Sequence, residues 1–203
     1  VRTFLNEEIA AGTFDPMSKD EASSFNRSFG KRVAAKGWIG ITWPKKFGGQ
    51  ERSFLDRYVI TEEFRAVAAP TSSYFTADRQ SGPTIMRYGH EDVQNEILPK
   101  IVSGDCTFCI GMSEPGSGSD LFGATTRATK TDGGYLINGA KIWTSNAHNS
   151  DYMTGLFRTA PPSEKNRREG LTQFVVNMKT PGISINPVIN MVGRHEFNEV
   201  VFE

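Results

Sequence analysis

The chain has 203 residues, 37% of them hydrophobic, with 23 basic side chains matched by 23 acidic ones, enough for a core that buries about 70% of the unfolded surface without disulfides or metals. The charge balance gives no field that would gather nucleic acid or an anionic membrane surface. No apolar run is long enough for a bilayer span, and Val1 to Gly12 lacks the basic and apolar regions of a signal peptide; a soluble intracellular protein is expected, cytoplasmic rather than mitochondrial. The start at Val1 and the uncapped apolar run Val200 to Phe202 before Glu203 make both ends look cut.

The first half carries helical signals. Ser18 and Glu21 form an S-x-x-E capping box, and Ala22, Phe25, Phe29 and Val33 recur at three- and four-residue steps until Gly37. The stretch from Gly37 to Gly49, rich in Gly and Pro, predicts a packed loop anchored by Trp38 and Trp43. A second helix opens at Ser53, with Asp56 as the acid of its cap, and runs to about Val67 before Pro70. Two more are expected at Gly82 to Tyr88 and His90 to Val102, the latter interrupted at Pro99.

After Gly104 the period changes. Cys106, Phe108, Ile110 and Met112 alternate with Thr107, Cys109 and Gly111, and Ala124 to Thr131 is rich in threonine. Asp132-Gly133-Gly134 and Asn138-Gly139 are hairpin signals, so Thr125 to Thr131, Tyr135 to Ile137 and Ala140 to Trp143 predict a meander. Further strands fit Tyr152 to Arg158, Thr172 to Met178, Ile183 to Ile189 and Glu199 to Phe202, with a polar loop from Pro161 to Gly170. Helices first and strands second, with the switch near residue 105, give an α+β chain of two domains, residues 1–104 and 105–203.

Cys106 and Cys109 form C-x-x-C, but no second pair completes a zinc site and His90, His148 and His195 are scattered; two reduced thiols in or near a core are expected. His148 titrates in the range of a general base, yet nothing adjacent in the chain orients it. Chemistry concentrates in two polar stretches. The first, Ser113 to Gly123, holds Gly116, Gly118 and Gly123 with three serines, so the backbone can approach a ligand while hydroxyls and N–H groups donate. Glu114 and Asp120 lie within it, and with Pro115 fixing the path they read as structural anchors. It precedes a strand rather than a helix and so does not match the dinucleotide fingerprint. The second, Trp143 to His148, offers an indole face for stacking together with hydroxyl donors.

Met112-Ser-Glu-Pro-Gly-Ser-Gly-Ser-Asp120, Tyr135-Leu-Ile-Asn-Gly139 and Lys141-Ile-Trp143-Thr-Ser-Asn146 at this separation resemble the middle domain of the acyl-CoA dehydrogenase family. Trp43-Pro44, Gly48-Gly49, Ser81-Gly82-Pro83, Tyr88-Gly89 and Leu98-Pro99 resemble its helical amino-terminal domain, and Phe197-Asn198-Glu199-Val200 its final barrel strand. Nearly the whole chain is covered, and the resemblance implies an all-helical amino-terminal domain over residues 1–104 followed by an antiparallel β-barrel domain over 105–203. The resemblance implies FAD as cofactor, with Ile110, Met112, Ser113, Trp143, Thr144 and Ser145 at the flavin. By it, Ser113 donates to the pyrimidine edge, Trp143 covers the ring, and Ser145 reaches the hydride-accepting nitrogen. The family more often has threonine at both serine positions; serine keeps the hydroxyl and frees its rotamer. Ser119, with Gly118, falls on the substrate side near the pantetheine arm of coenzyme A, and Arg79 and Gln80 lie in a region that resembles the acyl-chain pocket.

The reaction so implied is α,β-dehydrogenation of an acyl-CoA thioester, as in fatty-acid β-oxidation, with electrons passed to an electron-transfer flavoprotein. The family's catalytic glutamate belongs to a carboxy-terminal helical domain, which also builds the core of a homotetramer. No base is therefore nominated among Glu62, Glu63, Glu114 or Glu199, and the 203-residue chain alone is expected to be inactive. Two alternatives remain open: a non-catalytic flavin-binding or structural subunit of a heteromer, and a flavin oxidase or monooxygenase on the same fold.

Overall fold

The computed structural model describes residues 1–18 and 25–203. It divides into two compact units, Val1–Thr107 and Phe108–Glu203. The first is helical: α1 (Arg2–Ala10), α2 (Arg27–Ala35), α3 (Phe54–Ala66), α4 (Ser72–Thr76), α5 (Gly82–Tyr88) and α6 (Glu91–Val102). The second holds seven strands: β1 (Phe108–Gly111), β2 (Arg127–Thr131), β3 (Gly134–Lys141), β4 (Tyr152–Arg158), β5 (Leu171–Asn177), β6 (Ile183–Ile189) and β7 (His195–Phe202). Among the described residues no helix is long and apolar enough to cross a membrane.

Local chemistry accounts for the helix limits. Ser53 accepts from the Asp56 N–H while the Asp56 carboxylate accepts from the Ser53 N–H, so the expected capping box starts α3. The expected start of α2 differs. The helix begins at Arg27 because the Asn26 side chain accepts from the Phe29 N–H, which leaves Phe25 outside it; the Glu21 and Ala22 signals lie outside the described residues. Helix α1, α4 and the π-helical turn Ala77–Ser81 carry weak sequence signals and were not anticipated. The helical core is aromatic, with Phe4, Phe14, Phe29, Trp38 and Phe64 in mutual ring contact. Asp78 holds the loop to the helices by accepting from the Gly40 N–H at 2.9 Å. Arg79 donates to Asp78 and to Thr61, so the acyl-pocket candidate is already engaged within the helical unit.

Helices followed by a sheet are as expected, but the sheet is mixed rather than purely antiparallel. Its strand order is β1-β4-β2-β3-β7-β6, with β5 on the other side of β4, and β1 and β2 both run parallel to β4. A single core gathers Cys109, Ala128, Met153, Phe157, Val200 and Phe202, with Ile137, Phe174 and Ile185 packed against it. Every strand contributes, so the sheet must curl around one apolar centre. Both cysteines are buried, and burial pushes the Cys109 thiol up to about 12.

Asn138-Gly139 is not a hairpin turn. Strand β3 runs straight through it, pairing with β2 up to Asn138 and with β7 from Gly139 onward. Gly139 makes the exchange of partners possible. Its φ of +134° is open to glycine, and a Cβ there would meet the Thr126 hydroxyl oxygen at 2.8 Å. The last strand begins at His195, four residues before its expected start. At the sheet's end, β6 carries Pro187 opposite Asn198 of β7, a place where proline is tolerated.

Gly139→Ala is expected to lower stability by about 1–3 kcal/mol, measured by urea unfolding; an unchanged midpoint would show that strand exchange does not need glycine.

Candidate functional site

The first polar loop is tied down at its root. Glu114, buried, sends one carboxylate oxygen to the Lys141 ammonium at 2.8 Å and to the Thr126 N–H at 3.0 Å; the other accepts from the Thr125 N–H at 2.7 Å and from its hydroxyl. Lys141, 0% exposed, also donates to the Met112 carbonyl and lies over the Phe157 ring. Burial alone would push the Glu114 carboxyl up; the Lys141, Thr125 and Thr126 donors outweigh it and hold the group down to about 2. Glu114 is thus a fixed anion. Beyond it the backbone closes a short bridge between Glu114 and Ser117, and the exposed loop runs on to Asp120, which pairs with Arg167 at 2.7 Å. Both carboxylates act as anchors.

The same root brings the two polar stretches together. The Ile142 N–H donates to the Ser113 carbonyl at 2.9 Å, placing Met112 and Ser113 beside the end of β3. Past Ile142 the chain pairs with β7: Thr144 and Asn198 exchange both backbone hydrogen bonds, and the Asn146 N–H reaches the Glu196 carbonyl. The Asn198 side-chain amide adds a donor to the Thr144 carbonyl at 2.9 Å. So pinned, Trp143 and Ser145 are exposed and Thr144 between them is buried. Trp143 stands 58% exposed with φ of +60°, and Asn146 also has positive φ. A bulky residue in the left-handed region is strained, and such strain persists where surrounding structure imposes it, most often at functional sites.

Of the residues singled out in the sequence, Ser113, Met112, Trp143 and Ser145 therefore gather at one edge of the sheet. Ile110 sits half-buried in β1, paired with Thr154 of β4. Thr144 turns its side chain inward, and its hydroxyl has no partner among the described residues, as is true of Ser117; Thr144 serves the edge through its backbone. Gly118 and Ser119 lie exposed farther along the loop, with open space at Gly118. Sequence reasoning missed two things. Lys141 carried no signal beyond its place in a motif. His148, for which no orienting group was expected, is oriented by Asn198 and by His195, fifty and forty-seven positions away in the chain. That partnership is invisible without the pairing of residues 144–146 with β7.

The donor set and the exposed indole fit a flat aromatic ligand with hydrogen-bond acceptors on its edge. The family model described as acyl-CoA dehydrogenase, middle domain, matches residues 109–203, and that of the family's N-terminal domain matches residues 1–105. Acyl-CoA dehydrogenase IpdE1 of Mycobacterium tuberculosis is 34% identical across the whole of this chain and 54% of its own length. The ChsE4-ChsE5 complex of the same organism is similar in structure, with TM-score 0.83 and 33% identity over all of this chain and 51% of the matched one. An acyl-CoA dehydrogenase from Geobacillus kaustophilus gives TM-score 0.85 at 29% identity over all of this chain and 53% of that one. The chain spans about half the length of these relatives.

Glu114→Gln leaves the Lys141 ammonium buried without its counter-charge and is expected to cost about 3–5 kcal/mol in urea unfolding near neutral pH. In the parent protein the depressed carboxyl contributes stability that is present above about 4.5 and drains away as pH falls toward 2. The variant should lack that acid limb. A loss below about 1 kcal/mol would show that the pair is not an anchor.

Proposed function

The chain belongs to the acyl-CoA dehydrogenase family, and from that premise we propose that it forms the flavin cradle and part of the thioester channel of an enzyme that desaturates an acyl-CoA between its α and β carbons. The observation that carries this reading is Trp143, held strained and 58% exposed between Ile142, whose N–H bonds to Ser113 of the first loop, and Thr144, which is bonded to Asn198 of β7.

FAD, when bound, supplies the two-electron acceptor for the β-hydride. The residues of this chain do the rest of the binding work. The Trp143 indole would cover the ring, the Ser113 and Ser145 hydroxyls would donate to its edge, and Met112 and Ile110 would line the side toward β1. Thr144 contributes by its main chain, which sets Trp143 and Ser145 on the same face. Gly118 and Ser119 hold the pantetheine arm of the thioester. Donors held in place at Ser113 and Ser145 would stabilise negative charge at the edge of a bound ring more than they would a neutral edge.

The group that takes the α-proton is assigned to no residue of this chain. Glu114 is committed to Lys141, Glu63 to Arg2 and Glu199 to Asn186, which agrees with refusing each of them the role of base. Electrons then pass to an electron-transfer flavoprotein, and the full protein works in the cytoplasm as a homo-oligomer. One observation favours a second assembly: the similar ChsE4-ChsE5 structure is a complex of two named polypeptides, so a heteromer in which this chain serves as the flavin-binding subunit is the competing arrangement.

Anaerobic titration of the full-length, FAD-loaded protein with a panel of acyl-CoA thioesters is expected to bleach the flavin absorbance with at least one of them. No bleaching by any would remove the dehydrogenase reading, and rapid oxygen consumption by the reduced protein would favour an oxidase instead. Ser113→Ala and Ser145→Ala should each weaken FAD binding by about 3–10-fold, and unchanged affinity in both would displace the cradle.

A further inference from the structure

Beside the Trp143–Ser145 segment lies a cluster that the reading above leaves unused, two exposed histidines, His148 and His195, against the buried Asn198. The rings of His148 and His195 stack with centroids 3.8 Å apart and planes 22° from parallel. Both point at one atom. Asn198 Oδ1 lies 3.1 Å from His148 Nδ1 and 2.6 Å from His195 Nε2. Asn198 itself is 0% exposed and donates from Nδ2 to the Thr144 carbonyl, which fixes which end of its amide is the oxygen. An amide oxygen only accepts, so His148 must carry a proton on Nδ1 and His195 one on Nε2. One carbonyl is therefore gripped by two N–H groups while the same amide grips Thr144.

The cluster has a built-in limit. Neutral rings with these tautomers satisfy Asn198, but two imidazolium rings at this separation repel each other. Burial, together with the positive charge His195 can carry, holds the His148 imidazole below its ordinary range. The charged side chains on the segments that bear the rings are Asp151, Arg194, Glu196 and Glu199. Glu196 is already engaged by Asn190 and Arg194, and Glu199 by Asn186. Asp151 also has a partner, so it is no free counter-charge for a second positive ring, and Arg194 is itself a cation.

We propose that His148, His195 and Asn198 are positioning residues which hold Thr144 and thereby set Trp143 and Ser145 toward the ligand, and that they do so only while the two stacked rings are not both positively charged. The proposal rests on the flavin reading for what the segment binds, though not for the clamp itself. A group whose folded pKa is depressed in this way favours the folded arrangement above the ordinary imidazole range, and that contribution fades as pH falls through about 6.5.

The test uses full-length protein labelled with 5-fluorotryptophan, in which the Trp143 fluorine resonance is assigned by its loss in Trp143→Phe. Without FAD, that resonance is expected to move between about pH 7.5 and pH 5.5, on either side of the imidazole range. FAD affinity, read by fluorescence quenching, should fall about tenfold over the same interval. The double variant His148→Asn, His195→Gln keeps a neutral N–H donor at each position and removes both titrations. It should restore affinity to within about threefold of the parent at the higher pH and abolish both pH responses. Asn198→Ala should weaken FAD binding at both pH values. A Trp143 resonance indifferent to pH, or one that moves equally in the double variant, overturns the clamp. A resonance that responds as expected in a protein that binds no FAD at either pH sustains the clamp and removes the flavin reading instead.

Discussion

The strand unit depends on a charge buried where charges are costly. Taking an ammonium and a carboxylate out of water is repaid only when geometry is close and the remaining donors and acceptors are satisfied. Glu114 and Lys141 meet that condition with four further groups, the Met112 carbonyl, the two backbone N–H groups of Thr125 and Thr126, and the Thr125 hydroxyl. The cluster joins three pieces of the site: Met112 at the end of β1, Thr125 and Thr126 at the far end of the first loop, and Lys141 at the close of β3. An apolar pair of equal volume could fill the space. It could not dictate where three backbone segments begin, because dispersion contacts carry no direction while hydrogen bonds to a carboxylate do.

From that root the rest follows by backbone pairing. With Ser113 fixed, its carbonyl takes the Ile142 N–H; with Ile142 fixed, the chain reaches Thr144 in register with Asn198. Once Thr144 is turned into the core, its neighbours on either side have only the outward face left, and the exposed indole of Trp143 is the result. The strain at Trp143 is thus imposed by the pinned residues on either side of it rather than tolerated by accident.

The order of helices and strands was legible because apolar spacing and caps are local: Ser53 and Asp56 meet three residues apart, and the alternation after Gly104 needs no distant partner. The gathering of Ser113, Trp143 and Ser145 was legible through the resemblance of their motifs to a known family. What escaped was decided by partners far along the chain. Asn138-Gly139 has the composition of a turn, but β7 offered β3 a second ladder, and a continuous strand satisfied more backbone groups than a hairpin would. The parallel placement of β1 beside β4 joins segments some forty residues apart. Lys141 sits in a strand with nothing around it to announce burial, and His148 finds its orienting partner only because Asn146 and Thr144 extend the pairing of β7. The start of α2 was misjudged for a smaller reason, since Asn26 competes as a cap with the Ser18 signal upstream.

The pairing of Asn198 with Thr144 reaches the rim of the sheet as well. Because Asn198 spends its own N–H and carbonyl on Thr144, the residue opposite it on β6 faces its backbone the other way, toward the open side of the edge. That residue is Pro187, which has no N–H to offer. A stray strand docking there would find a gap in the middle of its ladder and bury a carbonyl without a partner, at a cost of about 1–3 kcal/mol. The bond that sets the ligand-facing segment on one side of β7 thus also makes the far edge a poor template for sheet-to-sheet aggregation.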